Sequence, residues 1–290
     1  MNYMKDMMQL VSLALQEDIG TGDITTESFV LKNSVKKAHI IAKQKAVVCG
    51  VDALRTIFKL VDEGLTVTFD KHDGDNVKPG DVVCNIRGHV HSILRAERVA
   101  LNYIGYLSGI STTTRTYVDR IKGTKAHIFD TRKTMPGYRY LEKYAVTKGG
   151  GYNQRIGLYD QVLIKDNHFA AIGEKWPEDI AERIRDVRNR IPDGMKIEVE
   201  VDTIAQLKDV LPAHPDIILL DNMGPDKLNK AVGIIRDENK CCEVNIEIEA
   251  SGGITIENVR EIAQTGVDRI SIGAITHSSI NVDFSLEILE

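Results

Sequence analysis

From about residue 124 to residue 273 the chain keeps returning to one pattern: a short apolar run, a stop of charged residues or glycine, then an amphipathic stretch. The apolar runs read KAHIFD, QVLIKD, KIEVEV, DIILLD, NIEIEA and RISIG, and the stretches between them include WPEDIAERIRDVRNR, TIAQLKDVL, PDKLNKAVGIIRDE and TIENVREIAQTG. Strands alternating with helices are joined by crossovers, and crossovers make the strands parallel. Six such units within about 150 residues predict an incomplete TIM-like α/β barrel more than an open sheet.

The stops carry the functional signal. They read Asp130-Thr131-Arg132-Lys133, Lys165-Asp166-Asn167-His168, Glu200 with Asp202, Asp221-Asn222, Glu249 with Ser251-Gly252-Gly253, and Gly273. In a parallel barrel the carboxyl ends of all strands open on one face, where active sites sit. A single charged strand end is mere punctuation, but a succession of five or six is a site. Ser251-Gly252-Gly253 is expected just before a helix starting near Thr255, so its N–H groups and the helix dipole suit a bound anion. Gly273 follows the next strand, and a phosphate held by the loops after the last two strands recurs in this barrel type.

The first 90 residues have a different texture. An amphipathic helix opens the chain, and β-rich pieces follow, Ala38 to Cys49 and LTVTFDKHDGDNVKPGDVVCNIRGHV, with DALRTIFKLVDE as a helix between them. The second β-rich piece resembles lipoyl-type hairpin sandwiches but has no lysine at the hairpin tip, so it reads as scaffold. His89 and His91 are expected in its hairpin, as packing residues. A long helix is expected over residues 95–121, with Val99, Tyr103, Tyr106 and Ile110 on one face and Arg95, Arg98 and Asn102 on another. Trp176 is expected to begin and anchor a helix. His168 is open between a structural hydrogen bond and a catalytic one.

Charge sharpens the picture. The chain's net charge is −5, which argues against a nucleic-acid coat. Yet residues 131–168 hold seven Lys/Arg against three acids, and residues 177–250 hold ten against seventeen. A basic stretch suits carboxylates and phosphates, and strand-end carboxylates such as Glu200 and Asp221 suit Mg²⁺ bridged to substrate phosphates. Part of the acidity, Glu178, Asp179, Glu182 and Asp186, reads as a solvated outer helix. Four cysteines without zinc spacing suggest reduced thiols in a cytoplasmic protein, and no apolar run is long enough to span a membrane.

Several blocks together resemble one family. Asp130-Thr131-Arg132-Lys133-Thr134-Met135-Pro136-Gly137 resembles the D-T-R-K-T-x-P-G block of the quinolinate phosphoribosyltransferases, also called nicotinate-nucleotide pyrophosphorylases. Glu17-Asp18-Ile19-Gly20 with Gly22-Asp23-Ile24-Thr25-Thr26, then AERVALNYIGYLSGIST, KGGGYNQRIGLYDQVLIKDNH, EVEVD, LLDNM, EASGGI and ISIGAITHS resemble further blocks of that family in the same order. The resemblance implies a type II phosphoribosyltransferase fold. Residues 1–110, joined by 276–290, would form an N-terminal α+β sandwich, and residues 111–275 the incomplete α/β barrel. It also implies a homodimer and the joining of quinolinate to phosphoribosyl pyrophosphate, with release of pyrophosphate and CO₂, to give nicotinate mononucleotide for NAD biosynthesis.

The resemblance further assigns roles to residues. Thr131, Arg132, Lys133, Gln154 and Arg155 would surround quinolinate, with Arg98 reaching in from the partner subunit. Lys165 would lie between the substrates, Glu200 and Asp221 would face the ribose and Mg²⁺, and Ser251, Gly252, Gly253 and Gly273 would hold the 5′-phosphate. Planar guanidinium forks suit a pyridine with two adjacent carboxylates. Where the family usually has His-Arg, this chain has Gln154-Arg155. Glutamine can donate a hydrogen bond but cannot become cationic, so altered carboxylate binding without loss of the reaction is expected. Two other readings compete: a phosphoribosyltransferase for another heterocyclic acid, such as the paralogue found with molybdate transport genes, and a silent homologue that senses phosphorylated metabolites.

Overall fold

The computed structural model describes residues 3–31, 33–173 and 176–290. The chain divides into two compact units, one of Met1–Arg115, Lys133–Gly151 and Ala274–Glu290, the other of Thr116–Arg132 and Tyr152–Gly273. The passage 133–151, which the sequence reading placed with the barrel, therefore belongs to the first unit.

The first unit is built on a four-stranded antiparallel sheet. Its strands are β1 (Val35–Ala42), β3 (Thr66–Phe69), β5 (Val82–His89) and, from the far end of the chain, β12 (Phe284–Leu289), in the order β12-β1-β5-β3. Two short strands, β2 (Ala46–Val47) and β4 (Asn76–Val77), pair separately. The stretch between β3 and β5 is thus no plain hairpin: β3 pairs with β5 while β4 turns aside to β2. Helix Tyr3–Ile19 buries Met7, Val11 and Leu15, four residues apart on one stripe, and helix Val51–Val61 buries Leu54, Ile57 and Phe58.

Helix Val90–Arg120 begins five residues earlier than its pattern suggests, so His91 is helical, and its Nε2 lies 3.1 Å from the Val30 carbonyl. Val99, Tyr103 and Ile110 are buried as expected. Gly105 and Gly109, one turn apart, let the returning C-terminal segment cross the helix closely. A Cβ at these positions would lie 2.8 Å from the Val282 carbonyl oxygen and 2.4 Å from that of Ile280.

The second unit carries six parallel strands: β6 (His127–Phe129), β7 (Val162–Ile164), β8 (Ile197–Val201), β9 (Ile217–Asp221), β10 (Glu247–Ser251) and β11 (Arg269–Ser271). Their order is β6-β11-β10-β9-β8-β7. β6 pairs with the last strand, β11, and the sheet runs open from β6 at one edge to β7 at the other, an incomplete barrel; Tyr152 adds an isolated parallel bridge to Phe129 on the free side of β6. Every expected strand is present. Two helix starts differ: Ile180 rather than Trp176, and Val259 rather than Thr255. Trp176 stands ahead of its helix, donating to Asp209 Oδ2 at 3.0 Å and packing edge-on against Phe169.

Candidate active site

The six strand ends of the second unit share one rim, since all six strands run the same way. At the end of β7, Lys165 caps the short helix Asp166–Ala171, a helix the sequence pattern does not show. Its N–H donates to His168 Nδ1 at 2.9 Å, and its carbonyl accepts from the His168 N–H at 2.8 Å. His168 is thereby occupied in holding the turn. The turn in place, Lys165 Nζ reaches Glu200 Oε2 on the neighbouring strand β8. Burial pushes the Glu200 carboxyl above the ordinary range; Lys165 pulls it down, and Asp221 and Asp166 push it further up. Glu200 and Asp221 therefore feel one another at adjacent strand ends. This cluster of carboxylate oxygens, offset by one ammonium, is a hard donor set that fits Mg²⁺ held partly through water.

Beyond Asp221, Asn222 takes a left-handed backbone (φ 51°) and its Nδ2 donates to Asp221 Oδ2. Gly252 lies so close to Asn222 that no Cβ fits there. With helix Val259–Gln264 starting late, the loop after Ser251 is shaped by Asn258 instead. Its Oδ1 accepts from the Thr255 N–H at 2.8 Å and its Nδ2 donates to the Gly253 carbonyl at 2.9 Å. A turn closed by the Val259 N–H donating to the Thr255 carbonyl at 3.0 Å leads into this helix. What the loop offers an anion is the open backbone of its glycines.

The basic segment divides between the units. Arg132, Arg155 and Lys165 belong to the second; Lys133, with its carbonyl accepting from Thr276 Oγ1 at 2.8 Å, belongs to the first, as does the exposed Arg98. Burial and the neighbouring Arg132 both lower the Arg155 pKa, while Glu198 and Asp160 raise it. Arg155 donates to the Gln161 carbonyl at 3.2 Å, and its Nε is buried without a hydrogen-bond partner among the described residues. Two neighbouring guanidiniums, one with a dry N–H to spare, make a site for an anion with more than one charge.

Beneath these residues lies a polar network that the sequence reading missed. Gln154 is buried; its N–H donates to Asp130 Oδ1 at 2.8 Å and its Nε2 to Glu198 Oε2 at 3.4 Å, an oxygen that Gln161 Nε2 also reaches. Glu198 and Glu249 are fully buried. Arg269 Nε donates to Glu249 Oε2 at 2.6 Å, its guanidinium stacks 3.9 Å over the Phe129 ring, and Ser271 Oγ takes the other Glu249 oxygen. Burial, then repulsion from Glu249, raises the Glu198 carboxyl well above its ordinary range. Arg269 is pulled down by burial but pushed up more by Glu249 and Glu198. One signal was available: E-V-E-V places Glu198 and Glu200 on the same side of β8, so a site role for one implies an inward position for both.

In the first unit, the N-terminal signature and the central helix meet at a cleft of about 590 Å³ lined by Glu17, Asp18, Asn102, Tyr103, Tyr106 and Tyr138. Below it the buried Glu142 accepts from the Tyr106 hydroxyl at 2.6 Å and the Met135 N–H at 2.9 Å.

The chain matches two family models, "Quinolinate phosphoribosyl transferase, N-terminal domain" over residues 23–108 and "Quinolinate phosphoribosyl transferase, C-terminal domain" over residues 110–287. It is 41% identical to a probable nicotinate-nucleotide pyrophosphorylase [carboxylating] of Bacillus subtilis (strain 168), across 99% of this chain and 95% of that one. The solved nicotinate-nucleotide pyrophosphorylase of Francisella tularensis superposes with a TM-score of 0.89 at 35% identity, covering 99% of this chain and 97% of the other. The counterpart from Ehrlichia chaffeensis gives 0.88 at 40% identity, covering 97% and 98%. With both halves matched and nearly full-length relatives well above 30% identity, the chain belongs to the quinolinate phosphoribosyltransferase family.

Proposed function

We propose that the chain transfers the phosphoribosyl group of phosphoribosyl pyrophosphate to quinolinate and decarboxylates the product, giving nicotinate mononucleotide, pyrophosphate and CO₂ for NAD biosynthesis. The observation that carries this reading is the pairing of two unlike features on one rim. The Arg132–Arg155 pair suits a pyridine dicarboxylate, and the Lys165–Glu200–Asp221 cluster suits a ribose and its pyrophosphate.

The protein's part is positioning and charge. Arg132 and Arg155 hold the carboxylates of quinolinate, with Thr131, Lys133 and Gln154 around them, and so aim the ring nitrogen at the ribose C1. Glu200 and Asp221 stabilise positive charge as it grows on the ribose, and Lys165 lies where the leaving pyrophosphate gathers negative charge. Ser251, Gly252, Gly253 and Gly273 receive the 5′-phosphate. Once the nitrogen is bonded to C1, the bond from C2 to its carboxylate breaks and CO₂ departs; the electron pair left on C2, stabilised by the adjacent pyridinium nitrogen, takes up a proton from solvent. Glu200 and Asp221 are the residues that would hold Mg²⁺, which when bound neutralises charge on the pyrophosphate.

The chain works as a homodimer in this reading, with Arg98, exposed on helix Val90–Arg120, serving the partner's quinolinate site. We place it in the cytoplasm, in keeping with its free cysteines. Among the described residues no helix is long and apolar enough to cross a membrane. The deciding assay incubates the protein with quinolinate, phosphoribosyl pyrophosphate and Mg²⁺ and measures nicotinate mononucleotide and CO₂. Formation of both is expected. Product from a different heterocyclic acid alone, or binding of the substrates without turnover, overturns the proposal.

A further inference from the structure

The end of helix Pro225–Cys241 carries a second group of ligating side chains. Glu238 and Cys242 are one helical turn apart and share a face, and the loop before β9 brings His214 against them. His214 Nε2 lies 2.9 Å from Glu238 Oε1, and Cys242 Sγ lies 3.4 Å from the same oxygen. One donor atom from each of the three residues falls within a 4.8 Å span. Cys241, exposed and adjacent in sequence, lies outside this group of three donors. His214 stands just ahead of the first residue of β9 and Cys242 ahead of β10, so the group lies at the amino ends of strands whose carboxyl ends carry Asp221 and Ser251. It is therefore at the opposite rim from the candidate active site.

We propose that His214, Glu238 and Cys242 form a binding site for a thiophilic divalent cation of the zinc class, with solvent completing its coordination. The donor chemistry selects the metal: imidazole and thiolate favour zinc, whereas Mg²⁺ takes oxygen. The spacing suits it too. Bonds of about 2.0–2.3 Å in a tetrahedron put ligand atoms about 3.5 Å apart. The Cys242–Glu238 separation already meets this, and the His214–Glu238 pair has to open by only about half an ångström. Two of the three non-glycine residues with positive φ among the described residues fall at this group, His214 (46°) itself and Glu243 (54°), next to Cys242. Binding exchanges the Cys242–Glu238 and His214–Glu238 hydrogen bonds for metal bonds. The Cys242 thiol proton passes to solvent, so affinity climbs with pH. The bound ion would tie the loop before β9 to the end of the helix.

The test titrates the reduced full chain with Zn²⁺ against a chromophoric chelator in excess Mg²⁺, and repeats the titration with Co²⁺ to read the thiolate-to-metal absorption band. One equivalent with a thiolate band is expected. His214→Asn keeps a residue that tolerates the left-handed backbone, and Cys242→Ser keeps the size of the side chain. Each is expected to weaken binding by at least about ten-fold, the scale of losing even an outer-shell partner. Glu200→Gln is expected to leave the equivalent in place. Three outcomes overturn the proposal: no bound equivalent in the parent chain, equal affinity in both cluster variants, or loss of binding in Glu200→Gln. Circular dichroism of each variant separates lost binding from lost folding.

Discussion

Alanine at Gly252 and alanine at Gly253 are the same chemical change one residue apart, and the structure predicts different outcomes. Both glycines have positive φ, +88° and +61°. A Cβ on Gly253 meets no atom within 4 Å, so Gly253→Ala costs only the left-handed backbone penalty of about 1–2 kcal/mol. A Cβ on Gly252 would lie 2.3 Å from Asn222 Oδ1, 2.6 Å from its Cγ and 2.9 Å from its backbone nitrogen. The amide cannot simply swing away, because its Nδ2 is bonded to Asp221. The nitrogen cannot either, because it donates to the Ser251 carbonyl at 2.9 Å. Crowding of this kind costs a further ~1–3 kcal/mol. Felt wholly at the phosphate loop, that excess weakens phosphoribosyl pyrophosphate binding about 5- to 150-fold, at 1.4 kcal/mol per decade. Steady-state kinetics with each substrate varied in turn should show Gly252→Ala raising KM for phosphoribosyl pyrophosphate and lowering kcat through Asp221, with KM for quinolinate held. Gly253→Ala should show a much smaller change. Equal effects of the two variants would refute the reasoning, since only one position is crowded.

Arg269→Met leaves Glu249 buried without its cation and should cost about 3–5 kcal/mol, read as a fall in the urea midpoint; Arg269→Met/Glu249→Leu should recover most of it, and a double variant no better than the single one argues against an uncompensated charge. Glu198 is raised above its ordinary 4.5, so the folded chain keeps a proton that the unfolded chain releases, and stability falls as pH rises from there toward the folded value. Glu198→Gln removes that slope, at most ~1.4 kcal/mol per pH unit for one proton; urea curves at several pH values that stay parallel to those of the parent chain would show the carboxyl to be ionised when folded. Mixing Arg98→Ala with Lys165→Ala subunits should restore activity in heterodimers, and no recovery on mixing means that each site is built within one subunit.

Some of this was legible in the sequence because it is local. Each barrel strand is a short apolar run closed by a polar stop, and each appears within a residue or two of its expected place. Helix starts were less legible because a capping side chain and a single turn precede the first regular turn. Ahead of helix Val259–Gln264, the Val259 N–H already donates to the Thr255 carbonyl at 3.0 Å, while Asn258 holds the Thr255 N–H and the Gly253 carbonyl. The strand-end stops led to Lys165, Glu200 and Asp221, which the structure brings together. Glu198 stayed hidden because its meaning is non-local: its partner Gln161 is 37 residues away, across a strand pairing that no window of sequence contains. The place of 133–151 in the first unit escaped for the same reason, since Glu142 finds its partner Tyr106 on a helix 36 residues earlier.

The polar barrel interior has a consequence for the anion site above it. Layers of branched apolar side chains normally fill such barrels. Here two buried carboxyls, Glu198 and Glu249, share a single buried cation, Arg269. Were both ionised, Glu198 would draw next, after Arg269, on Arg155 and offset charge needed for a dicarboxylate. Burial instead favours a protonated Glu198 while Arg269 stays bonded to Glu249. The neutral carboxyl still serves as acceptor for Gln154 and Gln161, so it supports the loop without drawing on the guanidinium. With Glu198 pushed toward its neutral form and Glu249 tied to Arg269, the acids beneath Arg155 offset less of the guanidinium charge that a dicarboxylate needs.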